Sequence, residues 1–256
     1  MKLVIKATCI TLSLLYITTL CIFATCSEAS YSWYVKRNKD HKQPEIDASM
    51  SFMKKYDAFY VDENKKNDKV LYLTFDAGYE NGNVEKIVDV LIEKNVPAAF
   101  FLLDNIIVKN TELVKRMAEN NCVVCNHTRT HRDMSKVKSK EEFEKELSSL
   151  EKIYKDTTGY DMAKFYRPPE GKFSELNLQH AQELGYKTVF WSFAYADWDN
   201  DDQPSLDYAK KKILDNTHSG AIILLHPTSC TNAAILGDLI DEWRNMGYTF
   251  ASIEDL

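Results

Sequence analysis

The sequence predicts an α/β fold, a distorted (β/α) barrel of about seven parallel strands, and three observations lead there. Short apolar runs (VLYLTF, PAAFFLL, VVC, FYR, KTVFWSF, AIILLH and YTFASI) follow one another from Lys69 to the end of the chain, with the length and residue types of buried strands. Between them lie segments whose apolar residues recur at helical spacing, and strands alternating with helices predict a parallel sheet with helical cover. Finally, Asp76, Arg167, Asp197 and His226 each stand at or just beyond an apolar run, where α/β folds gather their chemical groups.

Taken in order, the chain opens with Lys2 and Lys6 before an apolar stretch from about Ala7 to Thr25, followed by the small-residue sequence SEAS around Ala29. This pattern predicts that residues 1–29 are a signal peptide or an N-terminal membrane anchor, the stretch approaching the ~20 residues that span a bilayer. Phe23 and Thr25 ahead of Cys26 make a poor lipobox. Either way the rest of the chain is expected outside the cytoplasm. Residues 30–67 are polar and rich in Lys, Asn and Asp, with scattered aromatics such as Trp33, Tyr34, Phe52 and Tyr60. They read as an extended lead-in that packs only locally. From 68 to 256 the strand runs alternate with amphipathic helices expected near 83–94, 111–120, 140–156, 174–184, 205–216 and 232–246. The segment EEFEKELSSLEKIY has apolar residues at helical spacing and reads as ordinary core packing.

At 256 residues, with 45% hydrophobic and 27% charged content, the chain is long enough for one main core. Its formal charge of -6 is spread without long basic runs, which excludes a nucleic-acid surface. A neutral or mildly cationic glycan fits better than a polyanion, and a monomer is expected. Cys9, Cys21 and Cys26 fall in the leader, leaving Cys122, Cys125 and Cys230, an odd count that argues against a disulfide framework. In an extended CVVC strand, residues three apart lie about 10 Å from each other on opposite faces. Buried free thiols are the better reading.

His127 and His131, in NHTRTH, are four residues apart, a spacing that lets two imidazoles on one helical turn converge on a metal ion. The spacing alone arises often by chance. In chain order, however, it stands with TFDAGYENG, RPPEG, WSFAYADW and LLH. With these five motifs, residues 68–256 resemble the polysaccharide deacetylase family (carbohydrate esterase family 4, NodB homology type). The GYENG extension after Asp76 is most similar to the branch that deacetylates N-acetylmuramic acid during spore-cortex muramic-lactam formation.

Amide hydrolysis needs an activated water, an electrophile for the acetyl carbonyl and a proton for the leaving amine. The resemblance implies Asp76 as the base, His127 and His131 as ligands of a divalent metal, zinc above all, and His226 as the general acid. Asp197 is then expected to hold the tautomer of His226, and Arg167 to pair with Asp76 and lower its pKa. Tyr79, Pro168, Pro169 and Trp198 are expected to meet the sugar, while Trp191 reads as core. Ala77 departs from the family, most of whose members have a second, metal-binding aspartate there, so a weaker metal site is expected. Glu80 or Asn81 is a conceivable replacement donor, although YENG reads first as a turn. Ala194 is a second departure, leaving Asp197 as the acid of its motif. The run DWDNDDQ lacks the glycine and terminal glutamate of a calcium loop, and a glycan on the sequon at Asn126 would block the expected metal site. The sequence thus points to an exported, metal-assisted N-deacetylase of peptidoglycan glycan strands. The rival is a catalytically silent glycan-binding module that has lost a metal ligand at Ala77.

Overall fold

The seven strand runs become seven strands of one sheet, a strand of the lead-in adds an eighth, and the strands pair in parallel throughout. The computed structural model describes residues 29–37 and 40–256, so the leader and its expected role in export lie outside the described residues. The strands are β1 (Ser30–Ser32), β2 (Ala58–Phe59), β3 (Val70–Ala77), β4 (Ala98–Leu102), β5 (Cys122–Asn126), β6 (Phe165–Tyr166), β7 (Lys172–Ser174), β8 (Lys187–Val189), β9 (Ala221–Leu225) and β10 (Thr249–Phe250). The large sheet runs β10-β3-β4-β5-β6-β8-β2, with β9 also on β3. Beyond β8 the chain turns back, and a parallel bridge from Phe193 to Ile223 of β9 curls the sheet into the distorted barrel.

Two apolar layers follow from the period-2 alternation of strand side chains. On β3, Leu71, Leu73, Phe75 and Ala77 face the helices, together with Phe100 of β4, Val124 of β5 and Ile223 of β9. Tyr72 faces the other way into the barrel with Ala99, Phe101, Cys125, Val189 and Ile222. The same parity turns Thr74 and Asp76 inward. CVVC is divided between the layers, Cys122 packing with the outer one and Cys125 with the inner. Both thiols are free. Burial pushes the Cys122 thiol up to about 12 and raises that of Cys125 as well, so both behave as small core hydrophobes.

The helices are α1 (Val84–Glu93), α2 (Asp104–Lys109), α3 (Thr111–Glu119), α4 (Lys140–Thr158), α5 (Glu175–Glu183), α6 (Leu206–Asp215) and α7 (Cys230–Asn245). Their limits are written locally. Ser139 caps α4 at the Glu142 amide and Gly159 ends it at φ 84°, a left-handed position that costs glycine nothing. Ser174 and Asn177 form a capping box on α5, and Ser205 and Ser229 cap α6 and α7. Helix α2 was not expected, because six residues with a β-branched run, DNIIVK, are too short to show a period. Among the described residues no helix is long and apolar enough to cross a membrane.

The lead-in does more than pack locally. Strand β1 pairs antiparallel with β7, and β2 joins the edge of the large sheet beside β8. Trp33, Met50 and Met53 bury themselves against Phe173, Leu178 and Phe190 of the barrel domain.

Candidate active site

The chemical groups meet at the C-terminal ends of the parallel strands: Asp76 on β3, His127 just after β5, Arg167 just after β6, Asp197 in the loop beyond β8 and His226 just after β9. They surround a cleft of about 610 Å³. Asp76, His127, His131 and His226 line it together with Glu170, Trp191, Ala194, Tyr195, Trp198 and Leu224.

Arg167 is the hub beneath the cleft. It is fully buried, and its guanidinium donates to Asp76 Oδ1 at 2.7 Å, to Thr74 Oγ1 at 2.9 Å, to the Val189 carbonyl at 3.0 Å and to the Phe190 carbonyl at 3.2 Å. It also lies 4.1 Å from the centre of the Phe101 ring, so all three nitrogens and one face of the cation are engaged. Burial works against the charge of Asp76. The attraction of Arg167, then of His127 and His226, outweighs it and holds the carboxyl below its ordinary range.

The HTRTH segment is not a helical turn, and this corrects the expected local structure. It is a loop in which Thr128 and His131 both take left-handed backbone angles, φ 67° and 55°, a strained choice for a β-branched threonine. Buried Asn126 holds the loop, its Oδ1 accepting from the Thr128 amide while its Nδ2 donates to the Leu147 carbonyl and to the Tyr186 hydroxyl. Thr128 Oγ1 accepts from the His131 amide, and Glu146 takes both the amide and the hydroxyl of Thr130. The loop still brings the imidazoles together, with ring centroids 5.1 Å apart. His127 Nδ1 lies 2.9 Å from the Arg167 carbonyl. That contact assigns the proton to Nδ1 and leaves Nε2 as a lone-pair donor, 3.6 Å from Asp76 Oδ2. Burial pushes His127 down to about 4, so it is neutral at physiological pH, the form that binds a metal.

Those donors fit a divalent metal as a two-nitrogen site. Among the described residues no cluster of three or more His, Cys, Asp or Glu side chains is arranged to hold an ion, and Ala77 is buried in the outer apolar layer. The replacement donors are engaged elsewhere. Glu80 accepts from the amides of Gly82 and Glu85, and Asn81 donates to the Thr228 carbonyl, so YENG is the turn leading into α1.

Elsewhere in the same cleft, His226 Nδ1 lies 2.7 Å from Asp197 Oδ1, and its backbone amide donates to Asp197 Oδ2. Asn232, at the start of α7, donates to Asp197 Oδ2 at 2.7 Å, and the Tyr195 hydroxyl fixes the Asn232 amide. Burial disfavours a charged His226. The hydrogen bond and charge of Asp197, then the charge of Asp76, outweigh it, so His226 titrates above its ordinary 6.5. A raised pKa on a proton donor places the loss of activity at high pH. The protonated form, and the stability it contributes, is complete below 6.5 and disappears as pH rises through the folded-state value. The alkaline limb of a kcat/KM profile is therefore expected above 6.5, and Asp197→Asn is expected to move it to lower pH.

Of the residues expected to meet a sugar, Trp198 lines the cleft, 60% exposed, with its ring edge-on to His226 at 6.1 Å. Tyr79 is exposed but outside the lining, its hydroxyl accepting from Asn200. Pro168 and Pro169 are buried and do not line the cleft, so the expected sugar contact is corrected: they rigidify the turn that carries Glu170. Trp191, read as core, is half-buried and forms part of the wall. DWDNDDQ is a loop closed on itself, Gln203 donating to the carbonyls of Asp197 and Asp199. Asn126, Thr74, Asn232, Tyr195 and Glu170 were missed as site residues. All but Asn232 sit inside the quoted motifs, but nothing in the motif spacing announces their contacts.

The polysaccharide deacetylase family model matches residues 63–189, and the chain is 40% identical over 227 residues to the peptidoglycan-N-acetylmuramic acid deacetylase PdaA of Bacillus subtilis, covering 88% of this chain and 85% of that one. The chain belongs to the polysaccharide deacetylase family. Its fold agrees: the solved structure of Bacillus subtilis PdaA, described as a family 4 carbohydrate esterase, matches with a TM-score of 0.85 at 38% identity over 90% of this chain and 97% of that one. A family 4 carbohydrate esterase from Bacillus anthracis matches with a TM-score of 0.74 at 36% identity, over 91% of this chain and 98% of that one. For a deacetylase, the cleft offers a carboxylate held below its ordinary range and an imidazole raised above its own by a buried acid, around one space.

Proposed function

We propose that this protein hydrolyses the N-acetyl groups of peptidoglycan glycan strands, with N-acetylmuramic acid as the substrate sugar, outside the cytoplasm. The observation that carries the reading is the pair of dyads in one cleft, Asp76 with Arg167 and His226 with Asp197. The name of the 40% identical relative supports the choice of sugar. Residues 1–29 would supply the export signal or anchor. The freed amine is the group that a muramic lactam ring requires, which fits a role in the spore cortex.

Asp76, ionised and fixed by Arg167, accepts a proton from water as the water oxygen bonds to the acetyl carbon. His226 then gives a proton to the amide nitrogen as the carbon–nitrogen bond breaks, leaving acetate and an amine. Asp197 and the Asn232 amide keep the donor in place throughout. His127 and His131 would hold a divalent metal, zinc by the chemistry of the donor pair, and such an ion would supply positive charge toward the acetyl carbonyl. Trp198 offers an apolar face to the sugar beside His226. Because Asp76, His226 and Asp197 are retained and mutually ordered, a silent binding module has no support in this cleft.

Chelation is expected to lower the rate of acetate release by about 10²-fold, and zinc to restore it. Initial rates on glycan strands before and after dialysis against a chelator check this. An unchanged rate would remove His127 and His131 from the metal role.

A further inference from the structure

We propose that the N-terminal lead-in belongs to the catalytic cleft, with Trp33 and Arg37 as positioning residues that fix its Glu170–Trp191–Ala194 wall. The inference rests on the cleft being the substrate site. All three of those residues line the cleft, and the lead-in bonds to the backbone at each place. The Trp33 amide donates to the carbonyl of Gly171 at 2.8 Å, one residue from Glu170. The Trp33 indole Nε1 donates to the Trp191 carbonyl at 2.9 Å. The Arg37 guanidinium donates to the Ala194 carbonyl and packs over the Phe193 ring at 5.5 Å.

The rest of the geometry shows why such a strap is needed. Glu170 takes a left-handed backbone angle, φ 56°, which a non-glycine residue keeps only where its surroundings enforce it. The next residue, Gly171, is left-handed at φ 65°, and a Cβ there would lie 2.8 Å from Trp33 Cβ and 2.9 Å from Trp191 Cη2. Trp33 itself is immobilised by stacking on Phe190, centroids 4.6 Å apart, and by the β1–β7 pairing through Ser32 and Lys172. The family match begins at residue 63, so the strap lies outside the part of the chain that the match covers.

A wall that touches the glycan and not the reacting atoms affects binding more than turnover. The test uses the full chain with Trp33→Phe, which keeps a ring but loses the indole N–H, and Arg37→Gln at an exposed position. Acetate release is measured against peptide-free glycan strands, with Asp76→Asn as a control and thermal midpoints recorded for each protein. KM is expected to rise about three- to tenfold for each variant with kcat held within about twofold, and Arg37→Lys to recover most of the loss. An unchanged KM in both variants would overturn the proposal, as would losses in kcat and KM that track only the fraction of folded protein. Full turnover in Asp76→Asn would remove the catalytic reading of the cleft and this inference with it, whereas a dead Asp76→Asn beside unaffected strap variants would sink the strap alone.

Discussion

Asp76→Asn is expected to lower kcat by about 10³-fold, the loss of a general base, while the protein still folds. Asparagine keeps the shape and one acceptor for Arg167 Nη1 but cannot take the proton of water. The change also costs stability, because a fully buried guanidinium loses its counter-charge and keeps only neutral acceptors, the new amide oxygen, Thr74 Oγ1 and two carbonyls. Removing one partner of such a pair costs about 3 kcal/mol or more. The pH dependence has a definite sign. The folded-state pKa of Asp76 is depressed, so its stabilisation is present above the ordinary 3.8 and is lost as pH falls through the lower folded value. Denaturation at neutral pH should show the gap between parent and variant, and acidification below that range should close it. A variant that released acetate at the parental rate would exclude Asp76 as the base.

Arg167→Met is expected to have the larger effect on the fold. Methionine fills much of the volume but leaves Asp76, which is nine-tenths buried, without a cation, and strips a donor from Thr74 and from two backbone carbonyls. The loss is about 3–5 kcal/mol, equivalent to a midpoint roughly 6–20 °C lower for a domain of this size. Burial then dominates at Asp76 and raises its pKa, so the acidic limb of the pH–rate profile should move to higher pH. Arg167→Lys restores charge without the planar fork, and should recover stability only in part. A midpoint within 2 °C of the parent, roughly the scale of 1 kcal/mol or less, would mean that Arg167 is not the hub described.

The sheet was legible because buried parallel strands read as unbroken apolar runs: AAFFL and AIILL are buried at every position. The helices were legible from their apolar spacing, and the structure adds the serine caps and Gly159 that set their limits. What escaped was set by tertiary context. NHTRTH carries no mark of the left-handed angles at Thr128 and His131, which accompany the bonds of its own Asn126 and of Glu146 on α4. The lead-in looked autonomous because its aromatics are scattered among polar residues, and their partners Phe173 and Phe190 lie more than a hundred residues away. The five motifs located Asp76, His127 and His226, since these stand at strand ends where the chain must turn. Asn232 and Tyr195, which hold Asp197, stand out only once α7 is placed against the loop beyond β8.

The measurement that bears most directly on the central claim is acetate release from peptidoglycan glycan strands by the full chain with zinc, comparing strands with and without stem peptides against strands rich only in N-acetylglucosamine. Release is expected from peptide-free strands carrying N-acetylmuramic acid, with one amine appearing on that sugar for each acetate. Tight binding of the strands with no acetate from any of them would contradict the account and make the cleft a recognition site.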